Sequence, residues 1–221
     1  MANGLIIRTL VFLAWMVCGP MAWAQACPPM PTAQMSFQTD MVSPVYRNDR
    51  NRAVVTQLAG HSGNPNLRQH GLTRSETDFQ LAITLAIADL GNNRLCVALK
   101  DVKGTWLLSL LEVDVVSELA PGTCPHGVVR AHENQHVALT KQVFTRHMAP
   151  MRARFAEVVR GIKPQLIRGS AAQASRQFQS HILTEMKIAL AAYNRDVAAA
   201  NAVIDTPENY RSETAKCPVW K

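Results

Sequence analysis

Between Val128 and Leu139 the chain reads Val-Val-Arg-Ala-His-Glu-Asn-Gln-His-Val-Ala-Leu, which sets His132, Glu133 and His136 in a His-Glu-x-x-His pattern. On an α-helix, residues four apart stand one above the other on the same face. Two imidazoles so placed can grip one Zn²⁺ at about 2.0–2.1 Å each. Glu133 lies about 100° round the helix from His132, where its carboxylate reaches a water on the cation without ligating the metal. Zinc lowers the pKa of such a water towards about 7. The carboxylate can then take a proton as the water attacks a carbonyl carbon, and pass it to the leaving amine. The pattern therefore predicts His132 and His136 as metal ligands and Glu133 as general base. The expected chemistry is that of a zinc-dependent hydrolase, with a peptide or protein as substrate. Two polar residues, Asn134 and Gln135, fill the x positions, where helices of this kind often carry apolar ones.

A catalytic zinc needs a third protein ligand and keeps its fourth position for water. A continuation with histidine at position 142 is excluded, because that residue is Gln142. His147 stands about 16 Å further along a continuous helix, too far to share the ion. Glu157 lies beyond Pro150 on the same arm. If 125–160 and 171–203 fold back on one another near residue 165, the zinc end of the first helix meets the C-terminal end of the second. That mirror relation favours Asp205, then Glu208 and Asp196. It sends Glu185 and His181 towards His147, as a second polar cluster with a structural use. Asp205 is the expected third ligand, although Asp205-Thr206-Pro207 would equally suit a turn cap.

The elements that must hold these residues are legible as changes of texture. Residues 25–76 are rich in Pro, Asn, Gln, Arg and Ser and read as an irregular N-terminal segment, with short strands near Val42–Tyr46 and Ala53–Leu58. Leu81, Ile83, Leu85 and Ile87 then alternate with smaller residues, Gly91-Asn92-Asn93 signals a turn, and Leu95, Val97 and Leu99 alternate again. Lys103-Gly104 suggests a second turn before a third run, Trp106 to Val116. After Ala120-Pro121-Gly122 the period becomes helical, with Thr123 as cap and Pro125 in the first turn. Pro150 should kink or restart this helix, Gly161 and Pro164 should end it, and a second helix spans roughly 171–202. The expected fold is α+β: an antiparallel β-meander followed by a long helical hairpin carrying the histidines. In this reading 77–221 is one zincin-like domain of three strands and two long helices.

The N-terminus bears on the compartment. Leu10 to Cys18 is continuously apolar, Gly19-Pro20 breaks any helix, and Ala22-Trp23-Ala24 offers the small residues a signal peptidase reads. Residues 1–24 are thus expected to be a cleaved signal peptide, and no later stretch is apolar enough to span a membrane. Cleavage removes Cys18 and Arg8, leaving four cysteines and a net charge of +6 where the full chain has five and +7. An even cysteine count in a secreted or periplasmic protein argues for two disulfides. The mirror relation that picks Asp205 also brings Cys124, at the start of the first helix, beside Cys217, and leaves Cys27 for Cys96.

From Gly71-Leu72-Thr73 through the strands, Cys124, the His132-Glu133-x-x-His136 helix and a closing Asp-containing segment, the chain resembles the zincin metallopeptidases. More narrowly, it resembles the domain-of-unknown-function group described as predicted secreted zinc-dependent proteases. Members of that group close the second helix with a Tyr-Asp-x-x-Thr-x-His-Gly-like stretch. Here Ile204-Asp205-Thr206-Pro207-Glu208-Asn209-Tyr210 stands in its place, so Asp205 matches and Tyr210 occupies the position of the histidine. The resemblance implies a peptidase of unspecified substrate.

The basic residues, among them Arg47, Arg50, Arg52, Arg152, Arg154, Arg160, Lys163 and Arg168, are dispersed rather than interleaved with aromatics. They read as a solvated basic face and not as a nucleic-acid site. The competing functional class is a non-catalytic envelope binding protein whose metal site is structural or degenerate.

Overall fold

The computed structural model describes residues 27–60 and 69–220. The proposed signal peptide and its cleavage point fall outside the described residues. In chain order the elements are β1 (Gln34–Met41), β2 (Val45–Arg47), α1 (Arg52–Leu58), β3 (Gly71–Asp89) and β4 (Arg94–Val115). There follow α2 (Cys124–Gly161), β5 (Gln165–Arg168), α3 (Ala171–Ala202) and α4 (Pro207–Thr214).

The sheet is organised on β4. β3 runs antiparallel to it along its whole length, from Asp89 opposite Leu95 to Gly71 opposite Val115. On the other side of β4, β5 pairs antiparallel near its start, and β1 and β2 pair parallel further along. Gly91, Asn92 and Asn93 all adopt positive φ and close the β3–β4 hairpin, with the Gly91 amide donating to Asp89 Oδ1 at 2.8 Å. These are residue types that visit the left-handed region at little cost.

One face of the sheet is apolar. Phe79, Leu81, Ile83 and Leu85 of β3 point inward, while Asp78, Gln80, Ala82 and Thr84 alternate outward. α2 and α3 cover the inward face. Trp106 of β4 stacks on Phe144 of α2 with ring centroids 4.0 Å apart, and Tyr193 of α3 meets the same indole edge-on at 5.1 Å. Thr123 caps α2 by accepting from the His126 amide, and Ser170 caps α3 by accepting from Gln173. α3 buries Ala174, Phe178, Ile182, Met186 and Tyr193, a stripe at helical spacing. The two helices run antiparallel, as the cross pairs Arg154–Glu185, His147–Asp196 and His136–Asn201 require.

The expected architecture, an antiparallel meander and then a helical hairpin, is overturned. The sheet is mixed, because β1 and β2 join β4 in parallel. Sheet and helices also interleave along the chain, since β5 returns to the sheet between α2 and α3. The turn expected at Lys103-Gly104 does not exist. Gly104 lies within β4 opposite Leu81, and a Cβ there would stand 2.9 Å from Phe155 Cε2 and 3.1 Å from Phe37 Cδ2. That glycine leaves room for two aromatic rings, a strand use of glycine that composition does not separate from a turn.

Three further expectations change. The segment read as irregular contributes β1, where no strand is expected, while the strand expected near Val42–Tyr46 is β2 at Val45–Arg47. The strand read near Ala53–Leu58 is α1, capped by the Asn51 side chain, which accepts from the Val54 amide at 3.0 Å. α2 continues through Pro150 instead of restarting there, so only the Arg146 carbonyl loses its helical donor.

Two disulfides join Cys27 to Cys96 and Cys124 to Cys217, with Cα–Cα separations of 5.5 and 5.8 Å. The second ties the first residue of α2 to the segment after α4. Among the described residues no helix is long and apolar enough to cross a membrane.

Candidate metal centre

Two turns into α2, the helix turns His132, Glu133 and His136 inward, where all three are buried. Each offers a ligand atom, and these atoms lie within 4.8 Å of one another, so the group could hold a metal ion. The imidazoles meet edge-on, with Nε2 of His132 3.1 Å from Nε2 of His136.

A third atom closes on both. Asp205 Oδ1, in the turn between α3 and α4, stands 3.2 Å from each Nε2. Ligands placed tetrahedrally about a Zn²⁺ at about 2.0–2.1 Å are themselves about 3.3–3.4 Å apart, so the triangle has nearly the size a zinc requires. Its hydrogen bonding points the same way. Asp205 Oδ1 already accepts from the Tyr210 hydroxyl at 2.6 Å, which leaves this oxygen one lone pair for two imidazole nitrogens. A cation at the point the three atoms face would satisfy both nitrogens and the oxygen together.

The far sides of the rings are also held. His136 Nδ1 lies 3.0 Å from Asn201 Oδ1 on α3. His132 Nδ1 lies 3.1 Å from Glu213 Oε2 on α4, although the carboxylate stands off the line of a hydrogen bond.

Glu133, beside the two histidines, reaches the start of β3. Its Oε2 accepts from the Thr73 hydroxyl at 2.8 Å, and the same hydroxyl lies 3.1 Å from the Glu133 carbonyl. A hydroxyl has a single hydrogen, so these two contacts share it. Burial pushes the Glu133 carboxyl up to about 7, against the opposing effects of His136 and the Thr73 hydrogen bond. The residue opposite is glycine, and there is little room for anything larger. A Cβ on Gly71 would lie 2.6 Å from both Glu133 Oε1 and Val129 Cγ1.

The polar residue at the first x position has a partner. Tyr46 of β2 donates to Asn134 Oδ1 at 2.8 Å, and the Arg130 guanidinium lies over the Tyr46 ring at 4.9 Å. β2 is thereby fastened along the outer flank of the histidine helix.

Asp205 is held by its own local structure. Its amide donates to the Asn201 carbonyl at 3.2 Å, Thr206 caps α4, and Asn209 Nδ2 donates back to the Ile204 carbonyl at 2.7 Å.

Of the other carboxylates weighed as third ligands, none reaches the triangle. Asp196 pairs with His147 at 2.9 Å and with Arg146 at 3.2 Å. Glu208 pairs with Arg211, and Glu157 and Glu185 both pair with Arg154. The polar cluster expected from His147, His181 and Glu185 does not form, because His147 meets Asp196 and Glu185 meets Arg154. Thr73, Asn201 and Glu213 carried no signal as supporting residues, and Gly71-Leu72-Thr73 entered only as the edge of a resemblance. No protein-family model, curated protein or solved structure matches this chain, so its own residues are what the functional reading rests on.

Proposed function

We propose that the protein is a zinc-dependent hydrolase, acting on the amide bonds of a peptide or protein in an oxidising compartment outside the cytosol. His132, His136 and Asp205 are the zinc ligands in this reading, and Glu133 is the general base. The observation that carries it is the convergence of two Nε2 atoms and Asp205 Oδ1 at 3.1–3.2 Å, beside a buried carboxylate from the same helix turn. Zn²⁺ held there supplies Lewis acidity and brings the pKa of a water towards about 7. Glu133 takes one proton as the water oxygen bonds to the carbonyl carbon, then gives that proton to the amine as the C–N bond breaks. Thr73 holds Oε2 and so fixes the carboxylate's orientation for both transfers. The two disulfides support an exported location, as the thiol-reducing cytosol disfavours them.

The test is metal content and peptidase activity of the wild type beside Glu133→Gln and Asp205→Ala. Glu133→Gln should keep about one zinc per chain and lose hydrolysis, whereas Asp205→Ala should lose zinc. Retained zinc in Asp205→Ala would reject the third ligand, and retained hydrolysis in Glu133→Gln would reject the general base.

One observation favours a second reading. His132, Glu133 and His136 are 4, 4 and 8 % exposed, burial that also suits a structural cation in a non-catalytic envelope binding protein. Under that reading chelation lowers the melting temperature, and no peptide is cleaved by the zinc-loaded wild type.

A further inference from the structure

A histidine that binds a metal through Nε2 carries its proton on Nδ1, and that N–H needs an acceptor of its own. For His136 the acceptor is Asn201 Oδ1 at 3.0 Å. For His132 the buried Nδ1 has no well-directed hydrogen bond, and the nearest carboxylate oxygen, Glu213 Oε2, stands 3.1 Å away. Glu213 is 7 % exposed. Among the described ion pairs its partner is His132, and no lysine or arginine neutralises it. A buried carboxylate is costly unless a polar group answers it. The torsion that turns a glutamate carboxylate is broad, so a small rotation brings an oxygen onto the Nδ1–H axis.

The geometry points to Glu213 as a positioning residue: it accepts the Nδ1 proton of His132 and so leaves the Nε2 lone pair facing Asp205 and His136. The use of that tautomer rests on the zinc reading above, but the tautomer itself needs no metal. α4 is carried to this place by the Cys124–Cys217 disulfide, and the tail after it folds back onto it through the Trp220 indole, which donates to the Thr214 carbonyl at 2.8 Å. The two histidines are then held differently, one by a carboxylate and one by a neutral amide.

Long-range proton–nitrogen correlation spectra of the metal-free full chain, at a pH well above the ordinary imidazole pKa of about 6.5, read the tautomer directly. The wild type should show His132 protonated at Nδ1. Glu213→Leu should shift the ring towards the Nε2–H form, and Glu213→Gln, which keeps an amide oxygen in place, should not. Zinc affinity, by competition with a chromophoric chelator, should fall about 10–100-fold in Glu213→Leu and measurably but less in Glu213→Gln. An Nε2–H form in the wild type overturns the proposal, as does unchanged affinity in a folded Glu213→Leu protein. If Glu213→Leu does not fold, unchanged affinity in Glu213→Gln overturns it alone. A wild type that binds no zinc, yet shows the Nδ1–H form lost in Glu213→Leu, would sink the metal reading and leave this assignment standing.

Discussion

Replacing Cys124 and Cys217 by serine should separate two roles of one disulfide. The bond closes a loop of 93 residues, which in the chain-entropy model is worth roughly 4.6 kcal/mol. Cys27–Cys96 closes 69 residues and is worth nearly as much, roughly 4.4 kcal/mol. Each serine pair should therefore lower the melting temperature of the metal-free protein by a similar amount, about 10–20 °C for a domain of this size. Zinc binding should tell them apart. Asp205, Tyr210 and Glu213 all lie on the segment that Cys217 anchors, and none lies near Cys27. Freeing that segment means re-ordering these side chains on binding, at about 0.5–1.5 kcal/mol each. Zinc affinity should thus fall at least about tenfold in the Cys124/Cys217 variant and stay within about twofold of wild type in the Cys27/Cys96 variant. Thermal melts followed by circular dichroism, with chelator competition at a temperature where both variants are folded, measure the two effects. Equal zinc affinities in the two folded variants would refute the link between this disulfide and the metal centre.

Gly71→Ala should cost about 1–3 kcal/mol in urea denaturation, because its methyl group would overlap Glu133 and Val129. A wild-type midpoint would contradict that packing. The acid limb of stability should depend on Glu112. Burial alone would raise its carboxyl, but hydrogen bonds from Arg47, Arg50 and Arg74 outweigh this and hold it at about 2. A folded pKa below the unfolded value gives stability that is complete above about pH 4.5 and lost as pH falls towards 2. Glu112→Gln should therefore flatten the stability curve between those limits, and an unaltered slope would show that the three arginines do not act through Glu112.

What could be read in the sequence was what one element or one symmetry fixes. His132, Glu133 and His136 needed only a helix to share a face, and Thr123 with Pro125 announced that helix. Asp205 and both cysteine pairings followed from folding the chain back near residue 165, since antiparallel helices bring residues of nearly constant summed number together. The rest depended on contacts with no local trace. β5 is four residues between Pro164 and Gly169, too short to show a period. α1 carries adjacent valines that suit a strand, and Asn51 decides for the helix by capping it. Gly104 looked like a turn because the two rings that need its missing side chain come from β1 and α2. Glu213 reads in sequence like any surface glutamate of a short polar helix. Only the docking of α4 turns it inward.

The sheet's arrangement on β4 has a consequence for the route by which the protein folds. Each strand pairs with β4, and among the described residues no two of the others pair together. The β3–β4 hairpin is closed by a four-residue connection, so its pairing begins at low loop-closure cost and zips away from Gly91. β1, β2 and β5 reach β4 only across long stretches of chain, and such distant pairings form more slowly. The far rungs of the hairpin are those of Thr73 and Gly71, the two residues against which Glu133 is seated. The cradle for the carboxylate therefore sits at the end of the hairpin farthest from its turn, on the rungs that pair last as it zips.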